Sequence, residues 1–297
     1  MNFSGEGENG GMISKGGLVM MVRRRVTERR VEGGGGLWLY VEESGNPAGR
    51  PIVFFHGYSQ NHLVWLKQTE SDLAEEFRLI AVDLRGHGRS DKPQGVYGDS
   101  RLWAEDVAGV LRDLELAQPV LVGWSYSGLV LCDYVRHYGQ EAIGGLVFVG
   151  AVTRTGVKES FADLGDEFVA LVRPSFSNVV TESQSAMEQL IHLTMKGLLS
   201  EEEFYLFLGF NGAVPPHVRE GMMKRKLSND DLLPTIQNPV LIVHGSEDRV
   251  VLPAAAERHA GMIPKARLRI YPGAGHSPFW ENPGRFNEEL REFVRSI

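Results

Sequence analysis

The chain has 297 residues, 42% of them hydrophobic, with a formal net charge of -7 and a pI near 5.8. That length supports one large α/β domain or two small ones, and the acidic balance argues against a nucleic-acid partner, whose phosphates require a basic surface. A single cysteine, Cys132, excludes an intramolecular disulfide and a cysteine-cluster metal site, and no apolar run reaches the ~18 residues of a membrane span.

Residues 1–21 are rich in Gly, Asn, Ser and Met without periodicity, which predicts a disordered leader, with Met20 and Met21 as alternative starts. The stretch 22–31 interleaves Arg23, Arg24, Arg25, Arg29 and Arg30 with valines and a threonine. It reads as an edge strand whose charges discourage further pairing, the rival being a basic patch for membrane or nucleic acid. The Gly33 to Gly36 run then turns the chain into a second strand at 37–41, completing a β-hairpin.

From there, short apolar runs alternate with longer amphipathic ones. Strands are expected at 52–55, 79–82, 120–122, 146–149, 240–243 and 268–270, and helices at 66–76, 102–114, 128–137, 254–262 and 287–294. Such alternation builds a mostly parallel sheet covered by helices. Residues 153–235 break it, with helix-like stretches at 160–172, 182–195 and 201–208 and no clear strand. The expected organisation is a leader (1–21), an α/β core (22–152 and 236–297) and an inserted helical cap (153–235).

Ligands of parallel sheets bind beyond the carboxyl ends of the strands. The turns there are His56-Gly57-Tyr58, the Asp83-to-Ser90 segment, Gly123-Trp-Ser125-Tyr-Ser127, His244-Gly-Ser-Glu-Asp248 and Gly275-His276. The third has the form of a nucleophile elbow, a strand-to-helix turn so tight that the residues two before and two after the nucleophile must be small. Gly123 and Ser127 meet that demand for Ser125, whereas Ser127 as nucleophile would put Leu129 in a small-residue position. A serine, an acid and a histidine thus follow in the order Ser125, Asp248, His276. No His-Glu-x-x-His or comparable ligand spacing is present, so no metal and no cofactor are expected.

With these motifs in place, residues 25–297 resemble the α/β-hydrolase superfamily, and within it the small capped serine hydrolases that include esterases, lactonases and non-haem haloperoxidases or perhydrolases. The resemblance implies a mostly parallel central sheet with flanking helices and a helical cap. It implies Ser125 as nucleophile, His276 as its base and Asp248, rather than the adjacent Glu247, as the carboxylate orienting the histidine. The oxyanion would be met by the backbone N–H groups of Tyr58 and Tyr126. The usual second small residue of the elbow is glycine, and this chain departs from that with Ser127. His56, His87, His244, Asp83 and Asp106 are expected to support loops.

Trp124 and Phe279, beside the triad in sequence, and Phe161 and Phe207, in the cap, are the candidate pocket residues for a small to medium, uncharged, hydrophobic ester. The expected partner is that small molecule, with no nucleic acid and no membrane, in a cytoplasmic enzyme. Ser125 argues against dehalogenases and epoxide hydrolases, which resemble this chain but carry an aspartate at the elbow. Lactone hydrolysis and peracid formation use the same acyl chemistry and stay open, Tyr58 weakening the perhydrolase reading because such relatives often carry tryptophan there. A C–C bond hydrolase and a non-catalytic receptor on the same fold are more distant rivals.

Overall fold

The computed structural model describes residues 26–297, so the leader and the arginines at 23–25 lie outside the described residues. Ten strands follow in chain order: β1 (Thr27–Glu32), β2 (Trp38–Gly45), β3 (Pro51–Phe55), β4 (Arg78–Val82), β5 (Val120–Trp124), β6 (Gly145–Val149), β7 (Arg154–Thr155), β8 (Leu227–Ser228), β9 (Val240–Gly245) and β10 (Ala266–Tyr271). Eight of them form one sheet in the order β1-β2-β4-β3-β5-β6-β9-β10. The hairpin β1–β2 is antiparallel and joins β4 antiparallel; every other pairing is parallel.

The central strands are apolar along their whole length because helices cover both faces. Ile52, Val53 and Phe54 of β3 and Val120 to Val122 of β5 are completely buried. On one side lie α3 (Ser100–Asp113) and α4 (Ser127–Tyr138), and on the other α11 (Pro283–Arg295), whose apolar stripe of Phe286, Leu290, Phe293 and Val294 faces the sheet. Cys132 sits fully buried in α4, where burial raises its thiol pKa, as befits a packing residue rather than a reactive one. Among the described residues no helix is long and apolar enough to cross a membrane.

Two expectations change. The helix read over 66–76 is two single turns, α1 (Leu66–Thr69) and α2 (Leu73–Glu76). Ser71 breaks it: its hydroxyl donates to the Gln68 carbonyl at 2.7 Å and accepts from Leu73 N–H at 3.2 Å, competing with the helical ladder. Residues 153–235 hold α5 (Asp166–Ser175), α6 (Val180–Leu193), α7 (Glu201–Gly212) and α8 (Pro216–Met223), together with the two-residue ladder β7–β8. No helix is expected at α8; Pro216 occupies its first turn, where a missing N–H costs nothing. Beyond this segment come α9 (Pro253–Met262) and the short α10 (Pro278–Glu281).

Beside the strand ends, His62 is clamped between two carboxylates, with Nδ1 2.7 Å from Asp83 and Nε2 3.1 Å from Glu42. Burial opposes its charge, but the hydrogen bonds to both acids outweigh that and lift its pKa to about 9. A raised folded pKa gives stability that is complete below the unfolded value of ~6.5 and lost as pH climbs through about 9. Denaturant unfolding should therefore show stability falling by up to about 3 kcal/mol between those limits. His62→Gln should be less stable below pH 6.5 and lose most of this slope; equal slopes in both proteins would rule the assignment out.

Candidate active site

Adjacent parallel strands β3 and β5 are in register, Phe55 opposite Gly123, so the turn after β3 and the turn after β5 emerge side by side. Their approach is very close. A Cβ on Gly57 would lie 3.0 Å from Ser125 Cβ and 3.1 Å from the Trp124 ring, and one on Gly123 would lie 2.8 Å from Leu131. Ser125 sits between them with φ 55°, the left-handed backbone that a side chain seldom adopts. Its amide donates to Val149 O and its carbonyl accepts from Val152 N–H, both at 2.9 Å. These bonds over-determine the strained turn.

Ser127, the departure from glycine, is fully buried and its hydroxyl donates to the carbonyl of His56. The serine thus bonds the elbow to the neighbouring turn. That turn is fixed again by two buried histidines. His56 Nδ1 donates to Gly57 O at 2.8 Å and its Nε2 accepts from Leu84 N–H at 3.0 Å. His87 Nε2 accepts from Ser59 N–H at 3.3 Å, with Nδ1 2.9 Å from Arg85 O. Burial pushes His56 down to about 4 and His87 well below the usual histidine value, so both rings are neutral and each supplies one donor and one acceptor. Because a peptide is planar and trans, holding the Gly57 carbonyl on one side sets the Tyr58 N–H on the other. No acceptor among the described residues takes the N–H of Tyr58 or of Tyr126.

Asp248 and His276 come from the turns after β9 and β10. Asp248 Oδ2 lies 2.7 Å from His276 Nδ1 and 3.1 Å from His244 Nε2, while Oδ1 accepts from the N–H groups of Val250 and Val251 at 2.9 and 3.0 Å. Burial alone would favour the protonated acid, but the charge of His276 and the hydrogen bonds from both histidines hold the carboxyl well below the usual carboxylate range. Glu247 points away and pairs with Lys196 at the surface. The His276 ring rests against Gly150, where a Cβ would lie 3.0 Å from Nδ1, and its carbonyl accepts from Trp124 Nε1 at 2.9 Å. No carboxylate stands in the turn after β6, so Asp248 is the acid that meets the ring.

Ser125 and His276 open onto one cavity of about 30 Å³, together with Tyr58, Gln60, Trp124, Phe168, Leu190, Ile191, Thr194, Asn211 and Val250. Of the four side chains expected in its wall, only Trp124 lines it. Phe161 is 61% exposed on the surface. Phe207 is buried edge-on against Trp280 at 4.9 Å, and Phe279 stacks on Trp65 at 4.3 Å, one layer beneath Trp124. Phe207 and Phe279 pack the core and Phe161 faces solvent, so none of the three reaches the cavity. The side chains that replace them come mostly from α5, α6 and α7, where no motif marks them. Asp83 and Asp106 are structural, the first holding His62 and the Arg89 amide, the second forming a bidentate pair with Arg85.

A model of the alpha/beta hydrolase family matches residues 52–289. The chain is 36% identical to the esterase RhEst1 from Rhodococcus sp. ECU1013, with a TM-score of 0.87 over 91% of this chain and 99% of that one. It is 30% identical over 276 residues to a non-heme haloperoxidase of Rhodococcus erythropolis, covering 84% of this chain and 93% of the relative. A bifunctional esterase/perhydrolase of Acinetobacter calcoaceticus is likewise 30% identical, over 84% of this chain and 94% of its own. On the family match and these similarities along nearly its whole described length, the chain belongs to the alpha/beta hydrolase family.

Proposed function

We propose that the protein is a serine hydrolase that cleaves small, uncharged carboxylic esters through an acyl-enzyme. The observation that carries this reading is the buried Asp248–His276 pair at 2.7 Å facing the same cavity as Ser125 on its strained turn. Ser125 Oγ attacks the acyl carbon as its proton passes to His276 Nε2. Asp248, kept ionised, accepts from Nδ1–H, fixes the tautomer and stabilises the imidazolium without taking the proton. The unspent N–H groups of Tyr58 and Tyr126 would receive the oxyanion. His276 then protonates the departing alcohol, and water, activated by the same ring, releases the acid and restores Ser125.

Residues 153–235 read best as a cap, since α5, α6 and α7 supply Phe168, Leu190, Ile191, Thr194 and Asn211 to the cavity wall. A space of about 30 Å³ is far below the ~300–1,000 Å³ of sites for drug-sized ligands. With the cap in place it suits an acyl group of acetyl size, the small end of the expected range. The relatives named haloperoxidase and esterase/perhydrolase favour a second activity on the same intermediate. There hydrogen peroxide would replace water, its oxygen displacing Ser125 Oγ to give a peracid while its proton goes to His276.

A serine-directed phosphonate should label the wild-type chain at Ser125 and leave Ser125→Ala unlabelled, with ester turnover lost in both Ser125→Ala and His276→Ala. Absence of labelling and of turnover on any ester or lactone would instead favour a binding protein. Asp248→Asn should lower kcat on the order of 10⁴-fold. In a series of 4-nitrophenyl esters, kcat/KM should fall steadily from acetate to octanoate, and a preference for long or charged acyl groups would contradict the assignment of the cavity. If peroxide intercepts the acyl-enzyme, peracid formation from acetate ester and hydrogen peroxide should vanish with Ser125→Ala.

A further inference from the structure

We infer that Arg219, from α8, is a positioning residue that holds the Tyr58 turn in its working shape; this rests on the serine-hydrolase reading above. Arg219 is 3% exposed, and its four hydrogen-bond acceptors are all neutral. Nη1 donates to Ser175 O at 2.7 Å and Ser183 Oγ at 3.1 Å, and Nη2 donates to Asn211 O at 2.6 Å. Ser175 ends α5 and Asn211 lies in the last turn of α7, so the guanidinium sits against the negative ends of two helix dipoles. Those carbonyls compensate a buried cation that no carboxylate among the described residues pairs with.

The fourth bond has a different destination. Nε donates to Ser59 Oγ at 3.0 Å, crossing from the 153–235 segment to the turn after β3. Ser59 stands at φ 61°, a left-handed conformation disfavoured for a residue with a Cβ, and such strain persists only where the surroundings hold it. Here the holders are His87, bonded to the Ser59 amide, Met187, whose sulfur lies 3.7 Å from Ser59 Oγ, and Arg219. Tyr58, the preceding residue, has its phenol oxygen 2.8 Å from Ser175 Oγ, and the carbonyl of the same Ser175 is gripped by Arg219. One guanidinium therefore anchors the residue after Tyr58 directly and the Tyr58 side chain through Ser175. Without it, Ser59 can relax toward ordinary backbone angles and carry the Tyr58 N–H away from the oxyanion. Neither Arg219 nor Ser59 lines the cavity shared by Ser125 and His276, so the loss should fall on the transition state rather than on binding.

The test is a double-variant cycle with 4-nitrophenyl acetate on the full chain, using Ser59→Ala and Arg219→Met, with thermal unfolding alongside. Each single variant should lower kcat about 10-fold or more with KM within about 3-fold, and the double variant should be no slower than the slower single, because both remove one link. Arg219→Met should also lose thermal stability, and more than Ser59→Ala, which orphans only the Arg219 Nε–H. Wild-type kcat in Ser59→Ala, losses that multiply in the double variant, or a rise in KM with kcat unchanged would each overturn the inference. If Arg219→Met fails to fold, Ser59→Ala decides alone. A wild-type chain that neither turns over the ester nor takes the phosphonate at Ser125 overturns the hydrolase reading and this inference with it, and the wild-type rate tells that failure from the others.

Discussion

The site depends on how closely two neighbouring strand ends approach one another. Register between β3 and β5 brings the His56-Gly57-Tyr58 turn against the elbow, so closely that a Cβ at Gly57 would crowd Ser125 Cβ at 3.0 Å and the Trp124 ring at 3.1 Å. Proximity alone would not fix the geometry, since two turns in van der Waals contact can still slide. The hydroxyl of Ser127 prevents that by donating to His56 O across the gap. A residue that looked like a tolerated replacement for glycine thus does what glycine cannot, and the same side chain that satisfies the steric limit of the elbow supplies its lateral bond.

Charge is distributed around this contact according to what each turn must do. At the Tyr58 turn burial keeps His56 and His87 uncharged, so these two rings bond the turn without adding charge, and the amides of Tyr58 and Tyr126 meet no acceptor among the described residues. The acid side is the reverse, with Asp248 receiving two histidines and two backbone N–H groups and therefore staying ionised despite complete burial. In the proposed reaction a proton arriving on His276 would meet an anion, while negative charge developing on the substrate would meet unspent donors. The two halves would then be complementary before any substrate enters, as preorganised electrostatics for acyl transfer requires.

What could be read in the sequence divides along a physical line. Strands β3 to β6 and β9 announced themselves as short apolar runs, because a parallel strand buried on both faces has no polar side to blur the signal, whereas β10, at the sheet edge, alternates Arg267 and Arg269 with Leu268 and Ile270 and buries only Tyr271. Ser125, Asp248 and His276 were legible because backbone geometry restricts their neighbours: small residues flank the elbow, and Gly245 and Gly275 sit where backbones nearly touch. The pocket wall was not legible. Phe161, Phe207 and Phe279 share their residue type with true lining residues, and only the three-dimensional packing separates a ring facing a cavity from one facing Trp65 or Trp280. Arg219 was equally silent, since its partners are carbonyls and hydroxyls scattered over four elements rather than a motif.

The small cavity gives the link between the 153–235 segment and the core a further meaning. A space of about 30 Å³ walled in part by α5, α6 and α7 is small for a whole ester, and a shift of that segment would enlarge it. The apolar contacts that seat it, such as Phe168 with Val250 and Val251, are spread over many atoms and yield gradually. The bond from Arg219 to Ser59 is short-ranged and directional, so it would break early in such a shift and re-form when the segment is seated. An open segment would then coincide with a slack Tyr58 turn, and a seated one with a formed turn. On the proposed function, entry and oxyanion stabilisation would then alternate rather than compete.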